Sequence, residues 1–283
     1  MKITESNNIG GHLSTSKGME KTPETAREFR FKSYQVFTKS QMQWKAKPID
    51  ESVKEKFIKE KKNAGNPVVM VHGSYLLNTA SSDPELRSKV REGFKMEIER
   101  ADAYQMELLT FHPGSFKDAT PEIGIKNVAS MLNDVLREDQ KVMVLIENSA
   151  GQGNSVGKTF REIAEIIDGV DLKHKVGITL DTCHVWAAGY DIASEQGYGS
   201  MIDEIKETVG IDRIRGFHLN DSKKGLGEHT DRHEMIGKGK IGVQGFRYLI
   251  HDENFKNVPM IMETPLGEAG YPSDILALNQ LML

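Results

Sequence analysis

The sequence predicts an α/β protein, a closed (β/α)8 or TIM barrel over residues 1–283, with its active site at the C-terminal ends of the strands. Three observations carry this. Eight short β-type runs alternate with helical segments, which implies parallel βαβ units. Several of the runs are continuously apolar, as in a sheet covered on both faces. No glycine-rich phosphate fingerprint follows the first strand, which argues against a doubly wound open sheet.

The first run, NIGGHLS (7–13), is weak, and SYQVFTK (33–39) is the second. NPVVMVH (66–72) leads into a loop, after which SSDPELRSKVREGFKMEIERADA reads as a helix. Asp83 suits its N-cap and Pro84 its first turn, and Leu86, Val90, Phe94 and Ile98 recur every fourth residue. ELLTFH (107–112) is the fourth strand, and GIKNVASMLNDVL after it puts Ile125, Val128, Leu132 and Val135 on one helical face. KVMVLIEN (141–148) is an apolar strand, and KTFREIAEIIDGV a helix stopped at Gly169. KVGITLD (175–181) precedes the helix MIDEIKETVG, and IRGFHLN (214–220) and VPMIMET (258–264) complete the set.

Composition narrows the function classes. A net charge of −4 excludes the bulk basic character of a non-specific nucleic-acid coat, so any polyanion must meet a local positive patch or bound cations. No apolar run reaches the roughly 18 residues of a membrane span. MKITESNNIGGHLSTSKG lacks the apolar core of a signal peptide, and the lone cysteine fits a reducing compartment. A cytoplasmic protein is expected, nucleoid-associated if prokaryotic.

Six strands end on a side chain that can bind a metal: His72, His112, Glu147, Asp181, His218 and Glu263. Successive members lie 34 to 45 residues apart, about one strand–helix unit. In a parallel barrel every strand C-terminus opens on one face, so these residues would converge on one mouth. Singly, each is an ordinary polar strand end. Together, buried carboxylates and imidazoles repel or titrate unless cations compensate them. Mixed His and Asp/Glu donors suit Zn2+ or another borderline transition metal, including Mn2+ or Fe2+. In LDTCH, His184 lies three residues beyond Asp181 in what reads as a loop; in HTDRHEMIGKG, Asp231 and His233 are two apart and would point the same way if extended. Cys183 reads as a small packed apolar residue, and His12, His174, His229 and His251 as structural.

The segments IGGHLSTSKG, FTKSQMQW, HGSYLLN, FHPGS, IENSAGQG, LDTCHVWAAGYD, HLNDSK, DRHEMIGKGKIG and METP carry a resemblance to a known family. The chain resembles endonuclease IV, the trinuclear zinc AP endonuclease of base-excision repair, almost end to end. The resemblance implies three Zn2+ per chain. His72, His112 and Glu147 would hold the first, with Glu147, as the catalytic carboxylate, bridging to a second that also takes Asp181, His218 and Glu263. His184, Asp231 and His233 would hold the third. Three Zn2+ against four carboxylates would leave the mouth at +2, the anion site that the composition asks for. The implied reaction is hydrolysis of the phosphodiester 5′ to an abasic site in duplex DNA, leaving a 3′-hydroxyl and a 5′-deoxyribose phosphate, with removal of 3′ blocking groups as well. The implied DNA contacts are Tyr75 and Leu76, as wedges in the base stack, with Lys39, Gln41 and Trp44. Arg232, Lys223 and Lys224 read equally as phosphate contacts or solvated charges. The glycines of NSAGQGN (148–154) would let backbone N–H groups approach phosphate. Between the glutamines, where family members carry Arg, this chain has Met42, which can pack but not pair with phosphate. A monomer suits a mouth open to duplex.

Two other readings compete. A metal-dependent sugar isomerase on a similar barrel needs fewer metals and a closed polyol pocket. A non-catalytic DNA-binding barrel would be expected to have lost donors, and none of the nine is missing.

Overall fold

The computed structural model describes residues 2–282, and the apolar runs become parallel strands. They are β1 (Ile9–Gly11), β2 (Ser33–Val36), β3 (Val68–His72), β4 (Leu108–Phe111), β5 (Met143–Glu147), β6 (Val176–Asp181) and β7 (Ile214–Leu219). A small antiparallel ladder, β8 (Asp221–Ser222) with β9 (His233–Glu234), precedes the last barrel strand, β10 (Met260–Met262). The barrel strands pair in the order β1-β10-β7-β6-β5-β4-β3-β2. No ladder joins β1 to β2; the Lys32 N–H donates to the Ile9 carbonyl, the Leu13 N–H to the Gln35 carbonyl, and an isolated bridge pairs His12 with Gln35. The two strands crowd here. A Cβ on Gly10 would lie 2.0 Å from the Ser33 carbonyl oxygen, so only glycine fits.

The helices are α1 (Ile3–Ser6), α2 (Thr22–Phe29), α3 (Glu51–Asn63), α4 (Pro84–Ala103), α5 (Pro121–Val135), α6 (Phe160–Asp168), α7 (Thr182–Ala188), α8 (Glu195–Thr208), α9 (Arg247–His251) and α10 (Tyr271–Asn279). The side chains of Asp50, Asp83, Thr120, Thr159 and Ser194 cap α3, α4, α5, α6 and α8 by accepting first-turn N–H groups. Two helices start earlier than periodicity suggests, α5 at Pro121 and α8 at Glu195, because the caps rather than the apolar stripe set the start. None of these helices is long and apolar enough to cross a membrane.

Side chains alternate across a strand, so residues two apart share a face. Met70 lies two before His72, Leu145 two before Glu147, and Ile261 two before Glu263. Met70, Leu108, Leu145 and Ile261 form an apolar cluster separate from the main core, with no added room: a Cβ on Gly216 would sit 2.5 Å from Met70 Cε. This plug fills the bore below the polar residues, so the metal-binding types sit one layer above it, at the C-terminal rim.

Candidate metal centre

The nine expected donors meet at this rim in three groups. Ligand atoms of His72, His112 and Glu147 lie within 4.8 Å of one another, as do those of Asp181, His218 and Glu263, and those of His184, Asp231 and His233. Glu147, Asp181 and His184 form a further group that joins the three. His72, Glu147, Asp181, His184 and His218 are buried; His112, Asp231, His233 and Glu263 are partly exposed.

Three positions differ from the sequence expectation, the first being His112, which lies one residue past β4. His184 is not in a loop: it lies in α7, where the Asp181 carboxylate caps the helix by accepting the His184 N–H at 3.0 Å. Glu263 lies one residue past β10, and its main-chain N–H donates to Asn220 Oδ1 at 3.1 Å. Asn220 Nδ2 in turn donates to Asp181 Oδ2 at 2.7 Å, so one amide ties the Asp181 carboxylate to the Glu263 main chain.

Burial lowers the His72 imidazole to about 4. Burial would also lower His218 and His233, but Glu263 and Glu147 around the first, and Asp181 and Asp231 around the second, raise both to about 9. Burial opposes ionisation of Glu147, yet the charges of His218 and His112 hold it well below the usual carboxylate range. Glu147 Oε2 nevertheless has no hydrogen-bond partner, although His112 Nε2 is 3.3 Å and His72 Nε2 3.7 Å away. A buried carboxylate oxygen facing two imidazole nitrogens without a shared proton is the arrangement a divalent cation satisfies, so the donors fit a metal cluster. Cys183 is fully buried with its thiol pushed up to about 12 by burial, and its sulfur lies within 4.8 Å of ligand atoms of Asp181 and His233.

Residues around the rim are less uniform. Tyr75 is exposed, with its ring edge-on to His72 at 5.2 Å, and Met42 is exposed at 64%. Leu76 is half-buried. Lys39 does not stand free for phosphate: its side chain is 4% exposed and pairs with Glu97 of α4 at 3.3 Å. Trp44 packs on the core beside Gly93 of the same helix rather than facing the mouth. Gln41 is half-buried, its carbonyl accepting from the Ser74 hydroxyl at 2.7 Å. Arg232 and Lys223 are exposed, whereas Lys224 is half-buried and sits 3.9 Å from Glu228. Two clefts open on the rim. One of about 410 Å3 is lined by Tyr75, His112, Ser149, His184 and Asp231; another of about 650 Å3 by His12, Phe37, Gln41 and Leu266.

His12, read as structural, lies with its Nδ1 3.1 Å from Glu263 Oε1. Gln35, which drew no reading at all, contacts His12, Glu263 and His218. Gln35 is fully buried inside β2, a placement that only the structure reveals. His174, His229 and His251 lie outside the three groups.

A parallel barrel with a His/carboxylate cluster at its C-terminal rim defines a xylose isomerase-like TIM barrel, and the model of that family matches residues 23–281. A Thermoplasma volcanium protein named "Probable endonuclease 4" is 46% identical over 94% of this chain and 92% of its own. The crystal structure of endonuclease IV from Thermus thermophilus aligns with a TM-score of 0.86 and 30% identity, covering 97% of this chain and 98% of that one. The chain belongs to the endonuclease IV family. A D-tagatose 3-epimerase-like protein, 19% identical with a TM-score of 0.71 over 100% of this chain and 97% of its own, shares the fold alone.

Proposed function

We propose that the protein is an AP endonuclease that hydrolyses the phosphodiester 5′ to an abasic site in duplex DNA, leaving a 3′-hydroxyl and a 5′-deoxyribose phosphate, and that it also clears blocked 3′ ends. The observation that carries this is the convergence of five imidazoles and four carboxylates at one rim, under an exposed Tyr75. The names of the relatives point the same way.

His72, His112 and Glu147 would hold one divalent ion, Glu147 with Asp181, His218 and Glu263 a second, and His184, Asp231 and His233 a third. When bound, such ions, with Zn2+ expected and Mn2+ or Fe2+ as substitutes, supply Lewis acidity and a nucleophile at neutral pH. The chain supplies the rest. Glu147 falls in two of the donor groups, so it would help to hold more than one ion beside the phosphate. An abasic nucleotide must leave the stack to reach a recessed centre. Tyr75, Leu76 and Met42 would fill the space it leaves, and Gln41 and Arg232 would hold the backbone. Lys39 and Trp44 shape the loop that presents them. The protein acts as a monomer in the cytoplasm, at the nucleoid in a prokaryote. A sugar isomerase would need a closed polyol pocket, whereas here Tyr75 and Met42 stand exposed around the mouth.

Metal analysis paired with incision of a tetrahydrofuran-containing duplex tests this reading. Three ions per chain and cutting that stops in chelator and returns with Zn2+ are expected. Stripped protein that still cuts in chelator, or loaded protein that never cuts, overturns it. Glu147→Gln is expected to lose ions from two groups and most incision; near-wild-type cutting by that variant contradicts the assignment.

A further inference from the structure

We propose that Gln35 is a positioning residue that selects which ring nitrogen His218 offers to the metal centre. The inference rests on the metal-centre reading above. A neutral imidazole carries one proton, and the partner of one nitrogen decides which nitrogen is left to bind a cation. Three of the five rim histidines are fixed by the main chain. His72 Nδ1 faces the Gly73 carbonyl at 2.7 Å, His184 Nδ1 the Asn148 carbonyl at 2.9 Å, and His233 Nδ1 the Glu263 carbonyl at 3.2 Å. A carbonyl only accepts, so each of these rings holds its proton on Nδ1 and turns Nε2 inward.

His218 is reversed. Its Nδ1 faces Glu147 Oε1 at 3.0 Å and Glu263 Oε2 at 3.3 Å, and its Nε2 faces Gln35 Oε1 at 2.9 Å. The His218 and Gln35 side chains are both fully buried, so water does not compete for Nε2. The amide orientation then decides the proton. Gln35 Nε2 donates to Glu263 Oε1. Turned over, the amide would press its oxygen against a carboxylate oxygen, so Glu263 keeps the carbonyl end toward His218. His218 Nε2 must therefore donate, and Nδ1 keeps its lone pair for the ion.

The same amide braces Glu263 and lies 2.9 Å from His12 Nδ1 across the β1–β2 seam. One side chain thus orients two of the three members of the Asp181, His218 and Glu263 group. Partners that orient ligands in this way typically change metal affinity about 10- to 100-fold.

Gln35→Leu removes both polar ends at similar volume. With Zn2+ loaded, this variant is expected to surrender one ion per chain to a competing chelator about 10- to 100-fold more readily, while the other two stay as in wild type. A second readout follows the ring itself. In 113Cd-loaded, 15N-histidine-labelled wild type, scalar coupling should connect the ion to His218 Nδ1, and in Gln35→Leu that coupling should vanish or move to Nε2. Coupling through Nε2 in wild type overturns the proposal, as does wild-type chelator resistance with unchanged coupling in the variant. Gln35→Met serves if the leucine variant fails to fold. These readouts are independent of DNA: loaded protein that ignores abasic duplex defeats the proposed function and leaves the role of Gln35 to stand or fall on the metal data.

Discussion

Met42 sits at 64% exposure on the loop after β2, where the family resemblance leads one to expect an arginine. A thioether can wedge between bases but cannot neutralise a phosphate. Met42→Arg is therefore expected to tighten binding to abasic duplex and to steepen its salt dependence by about one phosphate contact. Anisotropy titrations across a salt series measure both, and no change in either removes Met42 from the DNA interface. At this scale the donors were legible in the sequence because most are charged or imidazole side chains closing an apolar run. Gln35, His12 and Asn220 were not, because a polar residue within or beside a weak strand shows its role only when its neighbours from other strands are in place. Lys39 misled for the opposite reason. Its charge is plain in the sequence, but the carboxylate that neutralises it, Glu97, lies 58 residues further on, in α4.

The loop between β8 and β9 shows the element scale. Asp221, fully buried, accepts hydrogen bonds from the main-chain N–H groups of Ser222, Gly237, Gly239, Ile241 and Gly242. Gly239 is obligatory here, since its Cβ would fall 2.3 Å from Asp221 Oδ1. This knot anchors both ends of the segment that carries Asp231 and His233. Asp221→Asn would turn an amide hydrogen toward donors and leave several N–H groups unpaired, at a cost of about 1–3 kcal/mol for each buried group left unsatisfied. A lowered Tm is expected, together with loss of the ion that His184, Asp231 and His233 are proposed to hold before the others; thermal melts and metal analysis read both. The sequence reading covers α4, α5, α6 and α8 but neither the knot nor the other helices, of which α3 and α7 show why. α3 is Lys- and Glu-rich and buries only Phe57 and Lys61, so it has no apolar stripe to find. α7 is short and almost wholly buried, which erases the amphipathic signal.

For the whole molecule, the rim is an electrostatic unit whose sign depends on its load. His218 and His233 are raised to about 9 from an ordinary 6.5. A raised histidine stabilises the folded state fully below the unfolded value and loses that contribution as pH climbs through the folded one. Stripped protein is therefore expected to lose stability between about pH 6.5 and pH 9. Loaded protein, whose imidazoles must be neutral to bind, should show no such loss. Denaturant melts of both forms across this range decide the point, and parallel curves would contradict the charge assignment.

The pairing of β1 with β10 has a consequence for how the molecule comes into being. The first strand finds a ladder, three residue pairs long, only with the last barrel strand, Ile9 opposite Met260. Until that strand is made, β1 and β7 lack the neighbour that joins them, and the rim lacks Glu263. Contacts so distant along the chain form slowly. On the proposed function, competence to cut would then arrive only with the final strand, which brings Glu263 to the rim.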